Sequence, residues 1–197
     1  MYVVHPTWQK TKPDVDEHSG WVFVSPNGEP LLHPSGENKI DCDEFCVPPP
    51  TELNWTSARS VYDTAGAGNA KKYTVPILFD LSTNKIVNNE SSEIIKMLYD
   101  PTMLGQFATK NQSLNLYPSE LASEIEDVNN FVYPQINNGV YKCGFAHSQE
   151  AYEAAAYSLK DGLERVEAIL SSSEYIAGNV LTEADIRLFV TLIRVST

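Results

Sequence analysis

Tyr73-Thr74-Val75-Pro76-Ile77-Leu78-Phe79-Asp80, Ser82-Thr83-Asn84, Lys85-Ile86-Val87 and Asn88-Asn89-Glu90-Ser91-Ser92-Glu93 form the stretch whose reading decides the fold. The β-branched and aromatic run from Tyr73 to Asp80 predicts a strand, Ser82 to Asn84 a turn, and Lys85 to Val87 a second strand, so the segment is a hairpin. Asn88 to Glu93 then opens a helix whose apolar residues Ile94, Ile95, Leu98 and Tyr99 recur at helical spacing, and Pro101 ends it.

Upstream, Tyr2 to His5 predicts a short strand stopped by Pro6, an abrupt opening that suggests a lost upstream segment. From there to about Pro50 the chain is rich in Pro, Gly, Asn, Asp and Ser and is expected to be mostly loop. Downstream, past a polar link around Thr109 to Ser113, the pattern turns helical. Leu121, Ile125, Val128 and Val132 recur at spacings of three and four, and Pro134 should interrupt that helix before it resumes through Val140. Gln149 to Leu170 carries Leu159, Leu163, Val166, Ile169 and Leu170 on one face.

The last helix opens at Thr182-Glu183-Ala184-Asp185, a sequence suited to a reciprocal cap. The Thr182 hydroxyl would accept from a backbone N–H three residues on, and Asp185 would reach back to the Thr182 N–H. Ile186, Leu188, Phe189, Leu192 and Ile193 make this helix apolar nearly all round, as in a buried helix, and its stop at Thr197 suggests missing downstream partners.

The 197 residues carry 14 Lys and Arg against 26 Asp and Glu, a formal net charge of -12 that repels a phosphate backbone, and no basic cluster offsets it. No apolar run approaches the roughly 20 residues of a membrane span. Three cysteines, Cys42, Cys46 and Cys143, are too few for a secreted disulfide framework. The expectation is a cytoplasmic protein that binds neither nucleic acid nor membrane. Cys42 and Cys46 lie beside Asp41, Asp43 and Glu44, whose charge should raise a thiol pKa. Two cysteines make a weak metal site, since His5, His18, His33 and His147 supply no matching spacing.

Several residues carry both a plain structural reading and a binding one. A trans Val75-Pro76 bond is the common case, whereas a cis bond would turn the Val75 N–H and C=O toward solvent, where a peptide could pair with them. Ser91 either caps the helix or adds a hydroxyl to a carboxylate site at the helix start, and Glu90 is placed to pair with a ligand ammonium. Trp21 is a core anchor or an indole packed on a ligand, donating its N–H to a carboxylate. Tyr141, after Asn-Gly, reads by itself as a half-buried aromatic, the commoner fate of a tyrosine.

Six strings narrow these alternatives: His5-Pro6-Thr7-Trp8-Gln9, Gly20-Trp21-Val22-Phe23, Val75-Pro76, Ile86-Val87-Asn88-Asn89-Glu90-Ser91-Ser92-Glu93-Ile94-Ile95, Asn137-Asn138-Gly139-Val140-Tyr141-Lys142-Cys143-Gly144-Phe145-Ala146 and Leu181-Thr182-Glu183-Ala184-Asp185-Ile186-Arg187-Leu188-Phe189. Together they resemble the Xi class of glutathione transferases, the glutathionyl-hydroquinone reductases. The resemblance implies an α/β plus all-α architecture. A partial thioredoxin-like, glutathione-binding domain lacking its first strand and helix would span residues 1–107. A helical C-terminal domain, cut short, would span residues 108–197.

It further implies glutathione as co-substrate, held by Trp21, Val75, Pro76, Glu90 and Ser91, a quinone-type substrate against Tyr141, and a homodimer. The family's nucleophile sits in a Cys-Pro-Trp motif at a helix N-terminus, where its thiol pKa falls. This sequence has no Cys-Pro pair, so the resemblance assigns no catalytic residue and no metal here. In the implied reaction a cysteine thiolate attacks the sulfur of a glutathionyl-hydroquinone, the hydroquinone leaves, and a second glutathione resolves the mixed disulfide. A non-catalytic module that binds glutathione or a quinone is the alternative.

Overall fold

The computed structural model describes residues 1–68, 72–99 and 115–195, and its contacts divide the chain into two compact units, Met1–Lys96 and Met97–Thr197. The boundary expected after residue 107, the polar link at Thr109 to Ser113 and the stop at Pro101 lie outside the described residues.

In the first unit the predicted hairpin is present as β5 (Leu78–Asp80) and β6 (Lys85–Asn88), paired antiparallel with Phe79 opposite Ile86, but its first strand is shorter than expected, since Tyr73 to Ile77 are not in a strand. Its turn is built by Asp80, whose carboxylate accepts from the Ser82 N–H at 2.8 Å and from the Ser82 and Thr83 hydroxyls at 2.6 Å each. Those bonds hold the Asp80 carboxyl down at about 2. Asn84 takes the left-handed conformation at φ 53° that closes the turn, which asparagine tolerates better than most residues.

The segment from Trp8 to Pro50, expected to be mostly loop, carries two short hairpins. In the first, β1 (Trp8–Lys10) pairs with β2 (Ser19–Trp21), placing Trp8 opposite Trp21; in the second, β3 (Leu31–Leu32) pairs with β4 (Lys39–Ile40). Strands of two or three residues are too short to display alternation, so periodicity cannot reveal them. The strand expected over Tyr2 to His5 reduces to a single bridge, Val3 with Val47. The chain bends away because His5, fully buried, accepts the Thr7 N–H on Nδ1 at 3.1 Å and donates from Nε2 to the Asp41 carbonyl at 3.1 Å.

Helix α1 (Ala58–Thr64) has no counterpart in the sequence reading. It starts at a capping box in which the Ser57 hydroxyl accepts the Ser60 N–H and the Ser60 hydroxyl accepts the Ser57 N–H. A serine stands where the usual signature has Glu or Gln, which hides the box from a pattern search. Helix α2 (Ser91–Tyr99) follows β6 and buries Ile94, as the spacing predicts.

The second unit is helical: α3 (Ala122–Phe131), a π-helical stretch (Val132–Asn137), α4 (Gly139–Gly144), α5 (Gln149–Leu170) and α6 (Glu183–Val195). Pro134 lies in the π stretch, so the interruption expected there takes the form of widened helical turns. The core gathers Ile125, Val128, Phe131, Val132, Ile136, Val166, Ala184 and Leu188 from α3, the π stretch, α5 and α6. Gly162 lets α5 approach closely, because a Cβ there would stand 2.9 Å from the Gln135 Cβ and 3.0 Å from the Ile136 Cγ1.

Two expectations for α6 are corrected. The helix buries Ala184, Leu188 and Thr191 but leaves Phe189, Val190 and Ile193 about half exposed, so one face packs rather than all of it. At its start, Asp185 does accept the Thr182 N–H at 2.9 Å, but the Thr182 hydroxyl donates to the same carboxylate at 2.9 Å rather than accepting from the backbone. The other Asp185 oxygen accepts the Ile176 N–H at 2.8 Å, so this side chain ties the preceding loop to the helix. Among the described residues, no helix is long and apolar enough to cross a membrane.

Candidate functional site

The first unit brings together the two ends of the stretch that opened the sequence reading. The Val75–Pro76 bond is cis, Val75 is 37% exposed, and neither its N–H nor its C=O bonds to another described residue. Thr74, just before it, is tied to α1 by the buried Tyr62, whose hydroxyl donates to the Thr74 carbonyl at 3.0 Å. The Asn89 side-chain amide, just before Glu90, donates to the same phenol oxygen at 2.9 Å and to the Thr74 hydroxyl at 3.1 Å. One phenol therefore links the residue preceding Val75 to the residue preceding Glu90.

Glu90 and Ser91 stand exposed at the start of α2. The Glu90 carbonyl accepts the N–H groups of Glu93 and Ile94, which makes Glu90 the residue that caps the helix, and its own N–H donates to the Asn88 side chain at 2.8 Å. A Glu90 carboxylate oxygen accepts from the Ser92 N–H at 3.4 Å, the Ser92 hydroxyl at 3.3 Å and the Ser91 hydroxyl at 3.5 Å. At these lengths the contacts are loose, and both hydroxyls can turn to an incoming acceptor. The backbone N–H groups and partial positive charge of a helix start favour an anion there, while Glu90 offers the opposite charge for a cation.

Trp21 ends β2 and is half-buried, with its ring edge-on to Trp8 at 5.6 Å, and its indole N–H meets no acceptor among the described residues. Close by in sequence, His18 meets Tyr73 edge-on at 5.0 Å, and Tyr73 meets Tyr62 at 5.5 Å. Arg59 lies over the Tyr73 ring and pairs with both oxygens of Asp16, at 2.8 and 2.6 Å. That fork, chiefly its hydrogen bonds, holds the Asp16 carboxyl down at about 2 and raises the guanidinium above its ordinary range. This ladder of rings and charges braces the segment on which Trp21 and Thr74 sit.

Tyr141 belongs to the second unit, on α4, half-exposed and stacked on Phe145 with centroids 6.4 Å apart. Beside it, a groove of about 570 Å³ runs between Gly139, Lys142, Phe145, His147 and the alanine face of α5. Cys42 and Cys46 are buried, and burial, assisted by Asp43, pushes the Cys46 thiol up. Among the described residues, no group of three or more His, Cys, Asp and Glu is placed to hold a metal ion.

Sequence reasoning singled out Val75, Glu90, Ser91 and Trp21 as candidates but not Tyr62, Asn89 or the Arg59–Asp16 pair that brace the segments carrying them. Only the Ser57-x-x-Ser60 start of α1 could have pointed toward Tyr62.

Similarity to known proteins extends over both units. Residues 149–197 match the family model described as glutathione S-transferase, C-terminal domain. The chain is 41% identical over 166 residues to glutathione S-transferase omega-like 2 of Schizosaccharomyces pombe, covering 83% of this chain and 52% of that protein. It is 46% identical over 123 residues to the glutathionyl-hydroquinone reductase YqjG of Escherichia coli, covering 62% of this chain and 36% of that one. The crystal structure of the Xi glutathione transferase ECM4 from Saccharomyces cerevisiae in complex with glutathione superposes with a TM-score of 0.78 at 29% identity, over 98% of this chain and 62% of that one. The chain thus spans about half, or less, of the length of these curated relatives. With its hairpin, its helical unit and these matches in agreement, the chain belongs to the Xi class of the glutathione transferase family.

Proposed function

We propose that the first unit is a glutathione site and that the whole protein reduces glutathionyl-hydroquinones. The observation that carries this reading is the open start of α2. Glu90 and Ser91 face solvent there, and the residue before them is tied to the residue before an exposed Val75. The Val75 backbone would pair with the cysteinyl part of the tripeptide, with Pro76 fixing that segment. The Ser91 hydroxyl and the helix start would take the γ-glutamyl carboxylate, Glu90 would take the γ-glutamyl ammonium, and the Trp21 indole would pack on the ligand and donate to a carboxylate.

In this reading residues 1–107 form the glutathione-binding domain, and residues 108–197 form a helical domain in which Tyr141 contacts a quinone ring. The protein works as a cytoplasmic homodimer. Support comes from YqjG, named as a glutathionyl-hydroquinone reductase, and from ECM4, solved in complex with glutathione.

Calorimetric titration tests it. Glutathione should bind, Ser91→Ala should weaken binding by about tenfold, the worth of a charge-assisted hydrogen bond, and cysteinylglycine, which lacks the γ-glutamyl end, should bind far more weakly than glutathione. Equal binding of the two peptides would remove the reading.

The thiols favour a second reading, since the Cys46 pKa is raised and Cys42 is buried. Residues 1–197 would then act by themselves as a module that holds glutathione or a quinone without turnover. Glutathione binding with no reductase activity from the chain would support it.

A further inference from the structure

Two points of the glutathione cradle come from the two ends of the stretch that contains the β5–β6 hairpin, and three polar side chains fix where those ends meet. Tyr62 sits on α1, whose orientation is set by the Ser57–Ser60 capping box and by the edge contact of Tyr62 with Tyr73. Its hydroxyl spends its one hydrogen on the Thr74 carbonyl at 3.0 Å and takes a hydrogen from the Asn89 amide at 2.9 Å. The second Asn89 amide hydrogen goes to the Thr74 hydroxyl at 3.1 Å. One Asn89 contact therefore reaches Thr74, the residue next to Val75, directly and the other reaches it through Tyr62, while Asn89 itself is next to Glu90.

We propose that Asn89, acting with Tyr62 and Thr74, is a positioning residue for the tripeptide, setting the separation between the Val75 backbone and the Glu90–Ser91 helix start. The inference rests on the glutathione reading of this site. A ligand held at two points gains from the second only if the spacing is already right, so a small displacement of either arm lowers affinity without removing any group that touches the ligand. Asn89 carries no charge, so its effect runs through geometry. That separates it from Glu90 and Ser91, which would act on the ligand's charged end directly.

The test is calorimetric titration of the full chain with glutathione, with thermal unfolding recorded on each variant. Asn89→Ala and Tyr62→Phe should each weaken binding by about tenfold. The double variant should be no weaker than the poorer single one, because both changes break one shared connection. Thr74→Val, which removes the direct bond from Asn89 but leaves the link through Tyr62, should weaken binding by less than Asn89→Ala, and Thr74→Ser, which keeps the hydroxyl, should bind like the wild type. Should Asn89→Ala lower the unfolding midpoint, the Thr74→Val and Thr74→Ser pair decides the matter with a smaller change of shape. Wild-type binding with full affinity in Asn89→Ala and Tyr62→Phe would overturn the inference while leaving the glutathione reading intact. Failure of the wild-type chain to bind glutathione would overturn both.

Discussion

The two units are held together by different physics. Met97–Thr197 has a contiguous apolar core in which Ile125, Val132 and Ile136 are fully buried, and its longest helix runs 22 residues. Met1–Lys96 has strands of two to four residues, and polar knots hold its chain in place: the Asp80 turn, the Arg59–Asp16 fork, and the join of Asn89, Tyr62 and Thr74. The difference separates stability from shape. Loss of one side chain in the helical unit should lower its unfolding free energy, whereas loss of a polar knot in the first unit should shift a loop or a helix start.

The largest effect should come from Glu183, where the helical core departs from its own rule. Its carboxylate is fully buried and accepts from the Tyr99 hydroxyl at 2.7 Å, the Asn129 amide at 3.2 Å and Arg187 at 3.3 Å. Burial and this carboxylate raise the Tyr99 phenol well above its ordinary range. Glu183→Ala would leave Asn129 and the Arg187 charge without their acceptor inside the protein, at a cost of about 3–5 kcal/mol in urea unfolding. A cost below that of an ordinary surface change would break the contrast between the units.

A smaller loss should follow at the start of the same helix. Asp185→Ala removes the acceptor for two backbone N–H groups, those of Thr182 and Ile176, and should cost about 2 kcal/mol. Thr182→Val removes only the hydroxyl that donates to Asp185 and should cost about half as much, by the same unfolding measurement.

The smallest expected effect lies in the first unit and depends on pH. The Asp16 carboxyl is lowered from an ordinary value of 3.8 to about 2 by Arg59. Its ionised form is therefore the one the fold favours. The stabilisation is fully present above about pH 4 and is lost as pH falls through about 2. Asp16→Asn should lower the neutral plateau of a stability–pH profile and flatten its acid limb, so that the variant and the wild type converge as pH falls through about 2. An unchanged acid limb would show that the Arg59 fork adds nothing to this unit.

How much of this was legible in the sequence follows the same division. Helix α5 was readable end to end because a 22-residue amphipathic repeat leaves no other reading, and the β5–β6 hairpin was readable from its turn residues. Helix α1 was not, because its serine-for-glutamate capping box and seven-residue length give too little periodic signal. The half-exposed face of α6 was misread because composition reports which residues are apolar, not which neighbours cover them. At the candidate site, Glu90 and Ser91 could be placed at a helix start by local pattern alone. The Tyr62 to Asn89 bond joins residues 27 apart through a side-chain contact, and no spacing rule predicts such a contact.

The most direct test of the central claim is an amide-resolved NMR titration of the chain with glutathione. The account predicts saturable shifts at the backbone amides of Val75, Glu90 and Ser91 and at the Trp21 indole N–H. Saturable shifts confined to the helical unit, or none at all, would contradict it.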